Sequence, residues 1–228
     1  MNLPWRLKLA AGRARRRLGP AQPPREQALT SRAEGRTVLD VGCMWDVNGR
    51  FAFLAEDAGA TRVTGVDVMG RTPEFDAEHA RRGSSVRYVH GDIHDPAVVA
   101  EAGQHDLVWC SGVLYHSPFP VLTLRRLREL TGELLILQTT CVPELPGVVQ
   151  GMVFYPHLPG SERRLYGMWG SAPRERSIGP LEGFPDEFGP WWWGITRSAL
   201  RAMVASAGFT VEEEWGDPFS AHVIARPD

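Results

Sequence analysis

Between Thr37 and Gln138 the chain alternates short apolar runs with stretches of helical spacing, and few architectures satisfy that alternation. The apolar runs are Thr37–Val41, Arg62–Val68, Val86–His90, Asp106–Cys110 and Glu133–Gln138. Runs this short read as strands buried on both faces. Between them Phe51, Leu54, Ala55 and Ala58 fall at i, i+3, i+4, i+7 before Gly59. Glu74–Arg82 is a polar helix. Asp95-Pro96 opens another, because the carboxylate caps free N–H groups and a proline at the first position loses no bond; Gly103 closes it. Val121, Leu124, Leu127 and Leu130 mark a helix before Gly132. Strands alternating with helices predict a parallel sheet covered on both faces. Helical spacing returns at Leu200, Met203, Val204 and Ala207, and Gly208 stops it. Phe209–Trp215 and Ala221–Ala225 follow, joined only by Gly216-Asp217-Pro218. That turn is too short for a crossover helix, so the last two strands pair antiparallel. The prediction is an α/β fold with a doubly wound sheet of seven strands, mostly parallel, ending in an antiparallel hairpin.

Two stretches escape this pattern. From Cys141 to Gly194 periodicity fades while Pro, Gly and aromatics accumulate, which predicts an irregular cap insertion over about 141–194. Long insertions in compact domains are usually lids or binding loops. Before Glu26 stand seven basic residues (Arg6, Lys8, Arg13, Arg15, Arg16, Arg17 and Arg25) and no acidic one. Leu3, Leu7, Ala11, Ala14 and Leu18 make this a weak basic amphipathic helix, and Gly19, Pro20, Pro23 and Pro24 break it as a linker. It reads either as an arm for an anionic partner or, preferably, as a loose helix packed on the domain. Residues 1–30 are thus taken as arm and linker, and 31–228 as the folded domain. A net charge of −2 argues against a general nucleic-acid binder. Three cysteines without CxxC spacing exclude a disulfide scaffold or cysteine-rich zinc module and suggest the reducing cytoplasm. No run approaches the roughly 18 apolar residues of a membrane span. The oligomeric state is not specified.

In sheets of this kind ligands bind at the carboxyl ends of the strands, where strand order reverses. The first strand ends Asp40-Val41-Gly42-Cys43, where Gly42 lets backbone N–H groups approach a ligand closely. The second ends Val66-Asp67-Val68, with Asp67 25 residues beyond Gly42 and suited to accept both hydroxyls of a ribose. The third ends His90-Gly91-Asp92-Ile93; Asp92 suits an exocyclic adenine amine and Ile93 the face of the base. A glycine turn, a ribose acid and an adenine acid on successive strand ends describe an adenosine pocket.

With these residues in place, the stretch from about Thr37 to Arg226 resembles the class I S-adenosylmethionine-dependent methyltransferases. The resemblance implies a Rossmann-like sheet, S-adenosyl-L-methionine as cofactor, and contacts to it from Asp40, Gly42, Cys43, Asp46, Asp67, Val68, Asp92, Ile93, Ser111 and Gly112. The family's first loop is usually Asp/Glu-x-Gly-x-Gly-x-Gly. Here Met44 replaces the middle glycine and the next is Gly49, three positions late. The longer, bulkier loop implies a different hold on the methionine moiety. The rival cofactor is NAD, whose G-x-G-x-x-G seats a pyrophosphate on a helix N-terminus. Only Gly42 fits that pattern, and Asp46 suits a cationic sulfonium better than an anion.

Strand four runs out through Ser111-Gly112-Val113-Leu114-Tyr115-His116. Gly112–His116 resembles the tRNA wobble-uridine carboxymethyltransferases of the same fold. His116 is a candidate general base, since an imidazole can take a hydroxyl proton at neutral pH; its bland role is a helix cap. Tyr115 would orient the acceptor or line the cofactor. The insertion brings Phe154, Tyr155, His157, Tyr166, Trp169 and the run Trp191-Trp192-Trp193. Of these, Tyr155 and the three tryptophans are the expected acceptor-binding residues, although they would equally glue the insertion to the sheet. Arg163, Arg164, Arg174 and Arg176 suit an anionic acceptor or a solvated face. His90 and His94 have i, i+4 spacing but straddle a strand end and a loop, so no metal is expected. Cys43, Cys110 and Cys141 near strand ends read as small buried hydrophobes. The functional expectation is methyl transfer to a small molecule, at a hydroxyl or carboxyl oxygen. The alternatives are modification of a tRNA uridine and a binding module without catalysis.

Overall fold

The computed structural model describes residues 25–45, 47–156 and 193–228. Nine strands occur there: β1 Thr37–Val41, β2 Arg62–Asp67, β3 Arg87–His90, β4 His105–Ser111, β5 Thr131–Thr140, β6 Met152–Phe154, β7 Trp193–Ile195, β8 Phe209–Asp217 and β9 Ser220–Pro227. The helices between them are α1 Arg25–Ala33, α2 Arg50–Asp57, α3 Pro73–Arg82, α4 Pro96–Ala102, α5 Pro120–Leu130 and α6 Arg197–Ser206, with a 3-10 turn at Leu114–His116. The seven-stranded sheet has the order β3-β2-β1-β4-β5-β9-β8. Its first five strands are parallel. β9 inserts antiparallel between β5 and β8, so the closing hairpin is antiparallel as expected.

Local chemistry sets the helix ends. Thr72 caps α3 by accepting the Phe75 N–H at 3.1 Å, with Pro73 at its first turn. Asp95 accepts the Ala97 N–H at 2.8 Å ahead of Pro96 and α4. Thr196 does the same for α6 through the Ala199 N–H at 3.2 Å. The apolar strands divide their side chains between two cores, because successive residues point to opposite faces. Leu39, Val41, Val108, Leu135 and Leu137 pack with Leu124 and Leu127 of α5 and Leu200 and Val204 of α6. Val38, Leu107, Trp109 and Ile136 pack with Leu29 of α1 and Phe51 and Ala55 of α2.

Three features differ from the sequence reading. First, helix α1 begins at Arg25, inside the stretch read as arm and linker. It buries Ala28, Leu29 and Ala33, and the Arg25 guanidinium lies 4.7 Å from the Phe51 ring centroid. A nine-residue helix with one large apolar side chain gives too weak a period to stand out. The basic stretch before it and the Gly/Pro linker lie outside the described residues. Second, the described ends of the insertion carry strands: β6 and β7 pair antiparallel as a separate ribbon. Three-residue strands far apart in sequence carry no readable alternation. Third, β5 starts at Thr131, two residues before the predicted Glu133, and takes in Gly132, where a Cβ would come 3.2 Å from the His105 carbonyl oxygen, so a side chain would press on β4.

Candidate functional site

The chain leaves β1 toward β2 and β3, then returns to place β4 on the other side of β1. The reversal opens a crevice between the carboxyl ends of β1 and β4. Gly42 stands at its floor. Its φ is +82°, and a Cβ there would come 2.3 Å from Val113 Cγ2. The first loop and the turn after β4 therefore meet at a glycine, in a backbone region that side chains avoid. After it, the Met44 N–H donates to Asp67 Oδ2 at 2.7 Å and the Met69 N–H to Asp67 Oδ1 at 2.9 Å. Asp67 also takes the Trp45 N–H, and so braces the loops after β1 and β2. The Tyr88 hydroxyl donates to the carbonyls of Met69 and Asp67, tying β3 to the same loop. Burial pushes the Asp67 carboxyl above its ordinary range, against the pull of these N–H donors.

Asp40 lies deeper. It is 1% exposed, between the sheet and α2, and accepts the Ala52 N–H. Burial, then the nearby Asp67, pushes its carboxyl up to about 8. Among the described residues its Oδ2 has no hydrogen-bond partner. Asp40 accordingly supports the loop from below and does not reach the crevice surface. Cys43 is buried too, and Val68 is half-buried with its carbonyl 3.0 Å from His90 Nε2. At the end of β3, Asp92 is part-exposed and takes two bonds from His94, while Ile93 is buried. These bonds hold the Asp92 carboxyl below the usual carboxylate range, although burial opposes them. Asp46 lies outside the described residues.

On the acceptor side, Ser111 donates to Gln138 Oε1 at 2.6 Å and the Gly112 N–H to the Gln138 carbonyl at 3.1 Å. Gln138 was not foreseen as a site residue; one polar side chain ending the apolar run of β5 was its only signal. Among the described residues, a Cβ at Gly112 would meet nothing within 4 Å. The His116 ring stacks on Trp45 (centroids 5.8 Å apart, planes at 19°) and lies 4.1 Å from the buried Tyr115 ring. The Trp45 stack was also not foreseen, because nothing in the sequence signals an approach of the first loop to the turn after β4. The β6–β7 ribbon sits beside that turn: Trp193 Nε1 donates to the Pro118 carbonyl at 3.4 Å and Phe154 lies 4.8 Å from the Trp193 ring. Tyr155, the residue after β6, packs near Gly194 of β7. Trp191, Trp192, His157, Tyr166, Trp169 and the four insertion arginines lie outside the described residues.

The polar groups at these strand tips are carboxylates, hydroxyls, amides and backbone. That set fits an uncharged nucleoside with a sulfonium better than a pyrophosphate, which calls for a cradle of N–H donors. His90 and His94 turn to different partners, and among the described residues no group of three or more His, Cys, Asp or Glu is arranged to hold a metal ion. The three cysteines are free and buried, and burial raises each thiol, that of Cys141 to about 12. No helix among the described residues is long and apolar enough to cross a membrane.

Residues 38–132 match a family described as a methyltransferase domain. A ubiquinone biosynthesis O-methyltransferase of Vibrio parahaemolyticus is 40% identical over 93 residues, 40% of this chain and 37% of that protein. The chain thus spans about two fifths of the length of the curated relatives it matches. Among solved structures, the 1,6-didemethyltoxoflavin-N1-methyltransferase of Burkholderia thailandensis, with 1,6-didemethyltoxoflavin and S-adenosylhomocysteine bound, has a TM-score of 0.59 at 17% identity, covering 98% of this chain and 85% of that one. An S-adenosylmethionine-dependent methyltransferase of Mesorhizobium loti has a TM-score of 0.57 at 17% identity, covering 91% and 98%. At such identities the likeness is one of fold.

Proposed function

We propose that the chain is a class I S-adenosylmethionine-dependent methyltransferase that moves a methyl group from S-adenosyl-L-methionine to an oxygen of a small-molecule acceptor, a hydroxyl or a carboxyl. The observation that carries this reading is the aromatic frame beside Gly112. Trp45, Tyr115 and His116 stand on one side, and the ribbon of Phe154 and Trp193 docks on the same turn. Such a frame suits a flat apolar acceptor that carries one polar reacting group.

Asp67 takes the ribose and Asp92 the adenine, with Ile93 against the base. Gly42, Ser111 and Gly112 shape the backbone around the rest of the cofactor, and Asp40 holds their loop from beneath. When bound, the cofactor supplies an activated methyl whose bond to sulfur breaks, leaving its electron pair on a neutral thioether as the acceptor oxygen bonds the carbon. Tyr115 and His116 hold the acceptor in line, a gain of alignment and desolvation. For a hydroxyl acceptor the neutral His116 imidazole receives the proton; a carboxylate acceptor needs no base. Three buried thiols fit a reducing compartment, the cytoplasm.

The relatives named as ubiquinone O-methyltransferases favour oxygen as the acceptor atom. The likeness of Gly112–His116 to tRNA carboxymethyltransferases makes bulk tRNA the necessary second substrate to assay. The test incubates the full chain with methyl-labelled S-adenosylmethionine and separate pools of phenols, aryl carboxylic acids, heteroaromatic amines and tRNA. Label on an oxygen of a phenol or acid supports the reading. Label confined to tRNA or to nitrogen overturns it.

A further inference from the structure

We infer that His94 is a positioning residue: it orients Asp92 toward the adenine of the cofactor and anchors that carboxylate to the turn bearing Tyr115 and His116. The inference rests on the reading of Asp92 as the adenine acceptor. His94 donates to Asp92 Oδ1 twice, from its backbone N–H at 2.8 Å and from ring Nδ1 at 2.9 Å. Both bonds fall on one oxygen, which fixes the rotation of the carboxylate and leaves Oδ2 for a ligand. The other ring nitrogen, Nε2, lies 2.9 Å from Thr123 Oγ1 and 3.3 Å from Ser117 Oγ. Thr123 donates to Ser117 Oγ at 2.6 Å, and Ser117 Oγ also accepts the Phe119 N–H at 3.1 Å. The chain of bonds thus runs from the end of β3 to the last residue of the acceptor-side turn and the first turns of α5. With Nδ1 as the donor to a carboxylate, Nε2 of the neutral ring is an acceptor for a hydroxyl.

The trio Asp92–His94–Ser117 has the connectivity of a nucleophilic triad, but its geometry points elsewhere. Ser117 is 5% exposed and its hydroxyl oxygen already accepts two bonds, so no substrate carbonyl can reach it. His94 itself is only partly exposed, 18% for the side chain, whereas Asp92 is 45% exposed. The accessible end of the network is the carboxylate, and the buried hydroxyls are its anchor. A carboxylate held in one rotation accepts a hydrogen bond from the 6-amino group of adenine and repels the 6-oxo group of hypoxanthine. His94 therefore sets base selectivity through Asp92.

The experiment measures binding of S-adenosylhomocysteine and S-inosylhomocysteine by calorimetry to the full chain and to His94→Ala, His94→Asn, Asp92→Asn and the His94→Ala/Asp92→Asn double variant. The wild-type chain is expected to prefer the adenosyl ligand by at least about tenfold, since the Asp92 carboxylate accepts from the 6-amino group and repels the 6-oxo group. Asp92→Asn collapses that preference, because an amide can flip to donate to the 6-oxo group. His94→Ala shrinks it by about three- to tenfold, and His94→Asn, whose amide nitrogen falls near Nδ1, restores it. In the double variant the loss of His94 adds nothing further, as expected for residues acting through one contact. A merely structural role would weaken both ligands equally and leave their ratio untouched. If Asp92→Asn collapses the preference and His94→Ala leaves it unchanged, the positioning role is overturned while the adenine placement stands. If Asp92→Asn also leaves it unchanged, the adenine placement fails and the role of His94 falls with it.

Discussion

Replacing Asp40 by Asn isolates the electrostatic term beneath the cofactor loop. The side chain is 1% exposed, accepts the Ala52 N–H, is repelled by the nearby Asp67 charge, and has an Oδ2 without a hydrogen-bond partner among the described residues. Burial and Asp67 raise the carboxyl from 3.8 to about 8, so it is protonated in the native state at neutral pH. In the unfolded chain it ionises near its ordinary value. The native state therefore binds the extra proton, and the stability this carries is fully present below the unfolded pKa. It is lost as pH rises toward 8, at about 1.4 kcal/mol per pH unit, which amounts to about 4 kcal/mol lost at pH 7. Asparagine has nearly the same shape, still accepts from Ala52 and carries no charge at any pH. Urea unfolding of Asp40→Asn and wild type at pH 5, 6, 7, 8 and 9 should show the variant gaining relative stability by about 1.4 kcal/mol per unit up to about pH 8, then levelling. How the amide packs sets the offset between the two curves but not their slope. A difference constant across this range would refute the reasoning, because it would mean that Asp40 titrates alike in both states.

Gly42→Ala should cost about 1–3 kcal/mol and weaken S-adenosylhomocysteine binding, since its Cβ would overlap Val113 at a φ of +82°. Adding Val113→Ala should recover part of the stability but not the backbone term; a neutral Gly42→Ala would contradict the geometry. His116→Ala should leave S-adenosylhomocysteine affinity within about twofold and lower kcat on a hydroxyl acceptor by about two to four orders of magnitude. Equal losses in affinity and rate would remove its role as base. Leu29→Ala should destabilise the fold by about 2–5 kcal/mol in a denaturation experiment, because Leu29 is fully buried against α2 and the sheet. A loss under about 1 kcal/mol would show that α1 is not part of the core.

The legible parts of this protein were those written in local spacing. The five apolar runs of the parallel half, the Asp95-Pro96 cap and the closing hairpin each rest on residues within a few positions of one another, and each appears in the structure. The strand-end residues Gly42, Asp67 and Asp92 could be named in advance because a parallel sheet aligns the carboxyl ends of its strands. The bracing of Asp67 by the Met44 and Met69 N–H groups could not, since it depends on how two loops from separate strands turn toward each other. The same holds for Trp45 on His116 and for Gln138 beneath Ser111.

Periodicity and turn chemistry by themselves determined the strands of the sheet, its closing antiparallel hairpin and the residue types at each strand tip, because hydrogen bonding and burial act there over one turn or one pleat. Only tertiary packing decided which of those side chains face the crevice and which are withdrawn beneath it. Asp40 and Asp92 look equivalent as acids at strand ends, yet one is sealed under α2 and the other lies open beside His94. The pleat direction, the covering helix and contacts many residues away set that difference, and none of them is carried by the carboxylate's own neighbours in the chain.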